Sequence, residues 1–371
     1  MNWSFKLVRF AGIDVFVHWT FAILIAWLIG LHVLQGDSLE VAVAGIGFVL
    51  AIFGCVVLHE FGHALTARHY GIRTRDITLL PIGGVARLER MPEDPKQELW
   101  VALAGPAVNV VIAALLFIPV YYGAGIGSLE QVQTFSGDFL AKLMLVNIIL
   151  VVFNLLPAFP MDGGRVLRAL LATRLDYVRA TQAAASVGQV MAIGFGILGL
   201  FFNPFLLFIA LFVYIGAQQE AQMVQMRSLL TGVPVREAMV TQFRTVAADT
   251  RLEDVVQELL DGQQQDFPVV EQGKSIGVLT RSDIVAALAE GRRASVVTEI
   301  MRDRCGTVDE REMLQDTFLR MQQAECSTMP VMKDEQLTGI ITLENIGEWM
   351  MIQSALRKGK SRQHVSNIYR P

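Results

Sequence analysis

The chain has 371 residues, of which 53% are hydrophobic and 18% are charged, and its mean hydropathy is +0.45. This composition is too apolar for an ordinary soluble enzyme. The formal net charge of −4 argues against a nucleic-acid partner, since proteins that bind nucleic acids carry basic surfaces. The cysteines, Cys55, Cys305 and Cys326, have no paired spacing, so we expect neither a disulfide framework nor a cysteine metal site.

Apolar runs over residues 1–220 predict a membrane domain. Residues 1–16 are short and basic, and the apolar run that follows lacks a small-residue cleavage site, so we interpret it as a retained span. Roughly 20 apolar residues cross a bilayer. Six segments approach that length, namely 17–34, 41–67, 99–122, 139–156 and two within 180–219 that are separated by Asn203-Pro204.

The distribution of charged residues predicts the orientation of these spans. An even number of spans places both termini on one side of the membrane. Lys and Arg concentrate at the span ends on that side, whereas the opposite connections are acidic and residues 123–138 contain no Lys or Arg. The positive-inside rule therefore predicts a multi-pass protein of the plasma membrane with cytoplasmic N- and C-termini.

Between the second and third spans, the pattern changes from continuous apolar residues to alternation. Residues 72–79 and 85–88 alternate, and the sequence PIGG at 81–84 separates them. This pattern predicts a short β-hairpin or sheet edge at the membrane surface.

The second span ends in His59-Glu60-Phe61-Gly62-His63, which matches the H-E-x-x-H pattern of zinc hydrolases. Positions i and i+4 share one helix face, so both imidazoles can reach one metal ion with Glu60 beside them. The same pattern also arises by chance in solvated helices. In a lipid-spanning helix, however, ionisable side chains are costly and usually perform chemistry, so we favour the metal site.

The predicted topology brings a third ligand to the same depth. The second and fourth spans both run from outside to inside, and Asp162 follows the fourth span. Two histidines and one aspartate leave one coordination position open, which is typical of a catalytic rather than a structural zinc site. The alternative interpretation of Asp162 is an ordinary Asp-Gly turn.

At these residues the chain resembles the site-2 proteases, zinc metalloproteases that cut within membranes. The resemblance rests on three elements: residues 59–63, the stretch Asn154…Asp162-Gly163, and Gly105-Pro106-Ala107-Val108-Asn109, which is similar to the family's G-x-x-x-(N/S/G) element. The resemblance implies one catalytic Zn²⁺ bound by His59, His63 and Asp162, with Glu60 as the general base.

The same resemblance implies roles for two asparagines. Asn154 and Asn109 would hold a substrate strand or stabilise an oxyanion. The alternative for each is an interhelical hydrogen bond. Cys55, one turn before His59, is interpreted as a packing residue.

The resemblance also implies a transmembrane protein as the substrate, such as an anti-sigma factor, another membrane-tethered regulator or a signal-peptide remnant. A helix shields its backbone carbonyls, so the substrate has to unwind before cleavage. We expect the unwound segment to pair with this alternating region, residues 72–88, by edge addition.

The second half of the chain contains an internal repeat with an offset of 62 residues. Pro268-Val269-Val270 aligns with Pro330-Val331-Met332, and GVLT at 277–280 aligns with GIIT at 339–342. Residues 239–291 and 299–351 are therefore predicted to form two similar modules, with a linker at 221–238 and a basic tail at 352–371. The repeat resembles a tandem pair of cystathionine-β-synthase (CBS) domains, which implies binding of ATP, ADP or AMP and homodimer formation through the modules.

In the CBS family, an acidic residue after the G-x-x-T strand contacts a ribose. The first module has Thr280 and Asp283 at these places, whereas the second has Thr342 and Asn345. We therefore expect the first nucleotide site to be the better equipped. The alternative is a pair of modules that only dimerise.

The sequence thus predicts a polytopic α-helical membrane protein of about six transmembrane helices with a small β region at the membrane surface, joined to a soluble α/β tandem CBS domain. The predicted function is an intramembrane zinc endopeptidase regulated by adenine nucleotides. The alternative is a CBS-regulated membrane transporter or channel, in which carboxylates and histidines line an ion path. A transporter does not need Glu60 beside a His-x-x-x-His pair and a downstream Asp-Gly.

Overall fold

The computed structural model of the chain describes residues 4–123 except 82, 90, 91 and 93, and residues 139–368, with side chains up to residue 356. The predicted connection at 123–138 lies outside the described residues from residue 124 onward. The chain divides into two compact units, Met1–Gln222 and Met223–Pro371.

The first unit is mostly helical. Its described helices are α1 (Thr20–Gln35), α2 (Leu39–His69), α3 (Pro95–Gly123), α4 (Phe139–Asn154), α5 (Asp162–Ala172), α6 (Tyr177–Phe201) and α7 (Phe205–Leu230), which ends in the second unit. The six predicted spans coincide with six apolar helices, α1 to α4, α6 and α7.

Four of these helices, α2, α3, α6 and α7, are long and apolar enough to cross a membrane. The other two, α1 and α4, are apolar but have 16 residues each. At about 1.5 Å per residue such a helix spans roughly 24 Å, less than the hydrocarbon core of about 30 Å. The α-helical membrane fold class is confirmed, while the count of six spans stays a prediction.

A four-stranded sheet lies beside α2, with the strand order β1 (Ser4–Phe10), β2 (Ile13–His18), β3 (Thr74–Leu80) and β4 (Gly83–Leu88). The β3–β4 pair is antiparallel, so the predicted hairpin is confirmed. The β2 and β3 strands are parallel, with Val15 opposite Ile77. Because β3 is paired on both sides, the sheet edge beside the hairpin that is free among the described residues is that of β4.

The N-terminal strands correct one expectation. The basic start of the chain forms two paired strands over residues 4–18, and the first helix begins at Thr20, three residues after the predicted start of the span. Ala11 and Gly12 have φ values of 49° and 82°, as the type I′ turn of a two-residue hairpin requires. The partner of β2 lies some 60 residues further along the chain, so local periodicity did not reveal it.

The short helix α5 was not anticipated, because Asp162-Gly163-Gly164 has the composition of a turn. Both glycines lie inside the helix and are buried. A side chain at Gly163 would overlap the carbonyls of Leu155 and Leu156, and one at Gly164 would overlap the backbone of Ala158 and Phe159. The glycine pair therefore lets α5 pack directly onto the segment that precedes it.

The second unit contains two similar modules. The first has β5 (Val246–Ala247), α8 (Leu252–Asp261), β6 (Phe267–Glu271), β7 (Lys274–Leu279) and α9 (Arg281–Ala289). The second has β8 (Val308–Asp309), α10 (Leu314–Gln323), β9 (Thr328–Lys333), β10 (Gln336–Thr342) and α11 (Leu343–Ile368). Each module forms a three-stranded sheet with its own apolar core, and the backbone of residues 352–368, in the predicted tail, is helical.

The modules exchange reciprocal backbone pairs. Val240, which precedes the first module's sheet, pairs with Ile340 of β10, and Arg302 pairs with Val278 of β7. The two pairs are related by the repeat offset of 62 residues, so the modules form a pseudo-twofold pair in which each completes the other's sheet.

The expectation that the cysteines form no disulfide is wrong. Cys305 and Cys326 form a disulfide with their Cα atoms 5.8 Å apart, and both are buried in the second module. Their separation of 21 residues fits no compact motif, and the fold of the module brings the two thiols together. Cys55 is a buried free cysteine.

We predict that Cys326→Ser lowers the free energy of unfolding of the second unit by about 2–4 kcal/mol, because the cross-link restricts the unfolded chain. Calorimetry of the purified full-length protein measures the shift. Reductant should produce a similar shift in the wild type and none in the variant. A transition that neither treatment moves would contradict the prediction.

Candidate active site

Helix α2 carries both motif histidines on one face, and α5 brings an aspartate to them. His59 and His63 are buried one turn apart, and Asp162 is the first residue of α5. Asp162 Oδ2 lies 3.1 Å from His59 Nε2 and 3.1 Å from His63 Nε2. The two Nε2 atoms are themselves 3.1 Å apart. Among the described residues, these three form the one group of His, Cys, Asp and Glu side chains placed to hold a metal ion.

Helix α3 fixes the orientation of both imidazoles. His63 Nδ1 lies 2.7 Å from the carbonyl oxygen of Val101, which can only accept, so Nδ1 carries the proton. His59 Nδ1 lies 2.5 Å from Asn109 Oδ1. Because one ring nitrogen of a neutral imidazole donates and the other accepts, both Nε2 lone pairs face Asp162.

This donor set fits a zinc ion. Two imidazole nitrogens and a carboxylate oxygen converge at one point, an arrangement that a divalent cation stabilises. Ligand atoms at about 2.0–2.1 Å from a tetrahedral zinc ion lie roughly 3.3 Å apart, close to the 3.1 Å separations observed. A Cβ added at Gly105 of α3 would fall between the two Nε2 atoms. Gly105 therefore keeps open the space that the ion requires.

Glu60 lies between the metal ligands in sequence and reaches the sheet. Its Oε2 accepts a hydrogen bond from the Ala86 backbone N–H at 3.1 Å. A side chain at Gly84 would overlap the Glu60 stem, so the second glycine of the GG pair allows β4 to approach α2. The general base predicted from the motif is therefore oriented by the free edge of β4.

Asn109 connects the site to α4. It is fully buried, and its Nδ2 donates to Asn147 Oδ1 at 2.8 Å. Asn147 in turn donates to the Leu143 carbonyl at 2.9 Å and to Cys55 Sγ at 3.4 Å. The observed contacts of Asn109 are those of the interhelical alternative, and Cys55 packs beside this chain of amides.

Sequence reasoning singled out Asn154 and missed Asn147. Asn154 is half-buried at the end of α4, whereas Asn147, two turns earlier, is fully buried and bonded to Asn109. The available signal was a second amide inside the apolar run 139–156, since a polar side chain in a lipid-spanning helix usually bonds to another helix.

The second unit contains a cavity of about 1040 Å³. Its lining includes Thr342 and Asn345 of the second module, Val240 and Asp266 of the first, and Arg281. The Thr342 hydroxyl donates to Asn345 Oδ1 at 2.6 Å. Asp266, which sequence reasoning missed, accepts from the Arg281 N–H at 3.0 Å and from the hydroxyls of Ser327 and Thr328. The volume of this cavity is that of a small-molecule site.

The equivalent place in the first module is filled by an ion pair. Asp283 accepts from Arg302 Nη2 at 2.7 Å and from its Nε at 2.9 Å, and it closes a capping box with Thr280 at the start of α9. Hydrogen bonding to Asp283 raises the pKa of the Arg302 guanidinium above its usual value. The cavity lies beside Thr342 and Asn345, and the expectation that the first nucleotide site is the better equipped stays a prediction.

The repeat itself contained the signal for this asymmetry. Arg302 aligns with Val240 at the offset of 62 residues. Arg302 pairs with Val278, two residues before Thr280, and Val240 pairs with Ile340, two residues before Thr342. The arginine opposite Asp283 is paired with it, whereas a valine stands opposite Asn345, where the cavity lies.

Comparison with known proteins identifies both halves of the chain. The model of peptidase family M50 matches residues 47–136 and 125–195, and the CBS domain model matches 235–290 and 297–351. The chain is 36% identical to the zinc metalloprotease MJ0392 of Methanocaldococcus jannaschii over 281 residues, which are 75% of this chain and 78% of that relative. These matches confirm both resemblances that the motifs indicated.

Two further similarities concern parts of the chain. The CBS domain-containing protein YhcV of Bacillus subtilis is 28% identical over 137 residues, covering 36% of this chain and 98% of that protein. The solved site-2 protease from Methanocaldococcus jannaschii is 38% identical, with 59% of this chain and 95% of that chain covered and a TM-score of 0.44.

We predict that Gly105→Ala abolishes stoichiometric zinc binding, because the added methyl group occupies the space between the two imidazoles. Metal analysis of the purified protein after zinc loading measures the loss. Gly54→Ala on α2, where a Cβ meets nothing within 4 Å, is the matched control and should retain zinc. Full zinc occupancy in Gly105→Ala would contradict the assignment of this space to the metal.

Proposed function

The chain belongs to peptidase family M50, and we propose that it is an intramembrane zinc endopeptidase that cuts a transmembrane segment of another membrane protein. One observation carries the proposal. His59 Nε2, His63 Nε2 and Asp162 Oδ2 converge, buried, between apolar helices, and Glu60 follows His59 directly on α2. The expected location is the plasma membrane with cytoplasmic termini, from the charge distribution.

His59, His63 and Asp162 would hold the zinc ion. When bound, zinc supplies Lewis acidity that polarises a carbonyl and makes water a stronger acid. Glu60 accepts the proton of the attacking water and transfers it to the leaving amide nitrogen. The Ala86 N–H, 3.1 Å from Glu60 Oε2, keeps this carboxylate aimed along the β4 edge during both transfers.

Within the predicted pairing region at residues 72–88, β4 offers the edge that a substrate strand would use. The 72–79 stretch forms β3, whose two sides are occupied by β2 and β4. The Ala86 N–H points away from β3, toward Glu60, and the Glu89 N–H bonds back to Arg73. Strand alternation therefore puts the N–H groups of Gly84 and Leu88 on the free edge with Ala86.

A substrate strand added to β4 would lie beside the general base. Edge addition supplies main-chain hydrogen bonds and keeps the segment extended, which exposes carbonyls that a helix would shield. Anti-sigma factors and other membrane-tethered regulators are the substrate classes that this reaction fits.

The CBS pair is proposed to bind an adenine nucleotide and to regulate the protease. The cavity beside Thr342 and Asn345 is large enough for a nucleotide and contains hydroxyl, amide and carboxylate partners for a sugar and a base. Only a short linker separates the last apolar span from the modules, so nucleotide binding would alter substrate access. The modules are also expected to pair two chains into a homodimer.

The alternative function is a CBS-regulated transporter or channel. The orientation of both imidazoles toward Asp162 favours the protease, because an ion path does not require two Nε2 lone pairs and a carboxylate at one point. Zinc content and cleavage of a membrane protein distinguish the two functions directly.

Glu60→Gln is expected to reduce turnover by roughly 10³-fold, since the proton acceptor is lost. Zinc should remain bound, because Glu60 is not among the three converging ligands. Cleavage of a transmembrane substrate in detergent and metal analysis give the two readouts. His63→Ala, the matched control, should lose both zinc and activity. Cleavage retained by Glu60→Gln would refute the role assigned to Glu60.

A separate experiment would identify the substrate. It compares the membrane-protein fragments of cells that carry the wild type with those of cells that carry Glu60→Gln.

Leu88→Pro is expected to raise KM about 2- to 10-fold, the effect of one lost hydrogen bond at the free edge. Leu88→Ala keeps the N–H and serves as the control for the lost side chain. Steady-state kinetics with a transmembrane peptide compare the two variants. Equal KM values would show that the substrate does not pair with β4 at this position.

Val240→Arg is expected to abolish nucleotide binding, because it places an arginine where Arg302 closes the other half-site. Asp283→Asn is the matched control and should bind normally. Calorimetric titration of the full-length protein with ATP, ADP and AMP measures both. The response of protease activity to nucleotide should vanish together with binding. If neither the three nucleotides nor deletion of residues 239–371 changes protease activity, the regulatory proposal fails. The proposed protease function would remain.

A further inference from the structure

The structure contains a second buried polar group, close to the metal ligands but separate from them. Arg168 lies on α5, six residues after Asp162, and its side chain is completely buried. A buried guanidinium is expensive to desolvate, and such groups are kept only with close partners. The partners of Arg168 show what this charge fixes.

Two carboxylates from two other helices bind Arg168. Its Nε donates to Glu98 Oε1 at 2.7 Å, and its Nη1 donates to Glu220 Oε1 at 2.5 Å. Glu98 is fully buried in the first turn of α3, whereas Glu220, on α7, is about one quarter exposed. The planar guanidinium therefore holds α5 between α3 and α7 with a fixed direction of approach.

Two aromatic rings enclose the same guanidinium. The Arg168 Cζ lies 5.0 Å from the ring centroid of Phe159 and 5.0 Å from that of Tyr177. Phe159 belongs to the segment immediately before Asp162, and Tyr177 begins α6. The cation thus contacts the chain on both sides of α5 as well as two neighbouring helices.

The partner on α3 belongs to the stripe that shapes the metal site. Glu98, Val101, Gly105 and Asn109 follow one another at spacings of three, four and four residues, so they share one face of α3. Val101 and Asn109 orient the two imidazoles, and Gly105 leaves the space between them. Through Glu98, Arg168 attaches the helix of the third ligand to the same face that orients the first two.

We propose that Arg168, with Glu98 and Glu220, is a positioning device that sets the rotation and depth of α5, so that Asp162 meets the two imidazoles. The inference rests on the proposed zinc site and adds residues that do not touch the metal or the substrate. Changing one partner of a buried ion pair also lowers stability, so the test has to measure metal affinity and ligand geometry separately from unfolding.

The test compares metal binding in Arg168→Lys, Glu220→Gln and Arg174→Met of the full-length protein in detergent. Arg168→Lys keeps the charge but loses the planar fork, and Glu220→Gln is a mild change at a partly exposed position. Arg174, exposed just beyond α5, is the matched control. Competition with a chelator measures zinc affinity, the visible spectrum of the Co²⁺-substituted protein reports the ligand geometry, and thermal unfolding of the metal-free protein reports stability.

Arg168→Lys and Glu220→Gln should each weaken zinc binding by roughly tenfold, the lower end of the range for groups that support metal ligands. Both should alter the Co²⁺ spectrum and lower kcat more than they raise KM, while Arg174→Met matches the wild type in every readout. Unchanged zinc affinity and an unchanged Co²⁺ spectrum in both variants, whatever their stability, would overturn the inference. Failure of the wild type to bind zinc through His59, His63 and Asp162 would instead overturn the proposed function.

Discussion

Two hydrogen bonds from α3 determine the chemistry of the membrane unit. By accepting from the Nδ1 atoms of His59 and His63, Asn109 and the Val101 carbonyl leave both Nε2 lone pairs facing Asp162. Without these acceptors, either imidazole could carry its proton on Nε2 instead, and the cluster would lose a ligand lone pair. The motif on α2 is therefore active only in combination with a partner helix that contributes no metal ligand.

The close approach of α3 follows from its small residues and those of α2. A Cβ at Gly62, inside the motif, would lie 2.7 Å from the Ala104 carbonyl oxygen, so a larger residue there would push the helices apart. On α3, the absence of a side chain at Gly105 leaves room for the two imidazoles of α2. The helix α5 packs just as closely, through Gly163 and Gly164, onto the segment that leads into it. Backbone proximity, rather than side-chain bulk, thus sets the dimensions of the site.

Much of this site could be predicted from the sequence because its ligands are short-range signals. The spacing of His59 and His63, and the apolar context around them, require only helical geometry. The partners that orient the ligands could not be predicted in the same way. Whether Asn147 or Asn154 faces Asn109 depends on the rotation of α4 against α3, and the pairing of β2 with β3 depends on strands far apart in the chain. The disulfide between Cys305 and Cys326 likewise depends on the tertiary fold of the second module.

The CBS pair shows how a residue can satisfy a family pattern and still be unavailable. Asp283 occupies the place of the ribose-binding acid, yet its oxygens are already bonded to Arg302. A ligand that used Asp283 would have to replace charge-assisted hydrogen bonds with weaker ones to hydroxyl groups. At the place equivalent to Arg302, opposite Asn345, the pseudo-twofold puts Val240. In a tandem repeat, the residue contributed by the other module therefore decides which half-site is open, and a pattern read within one module cannot predict it.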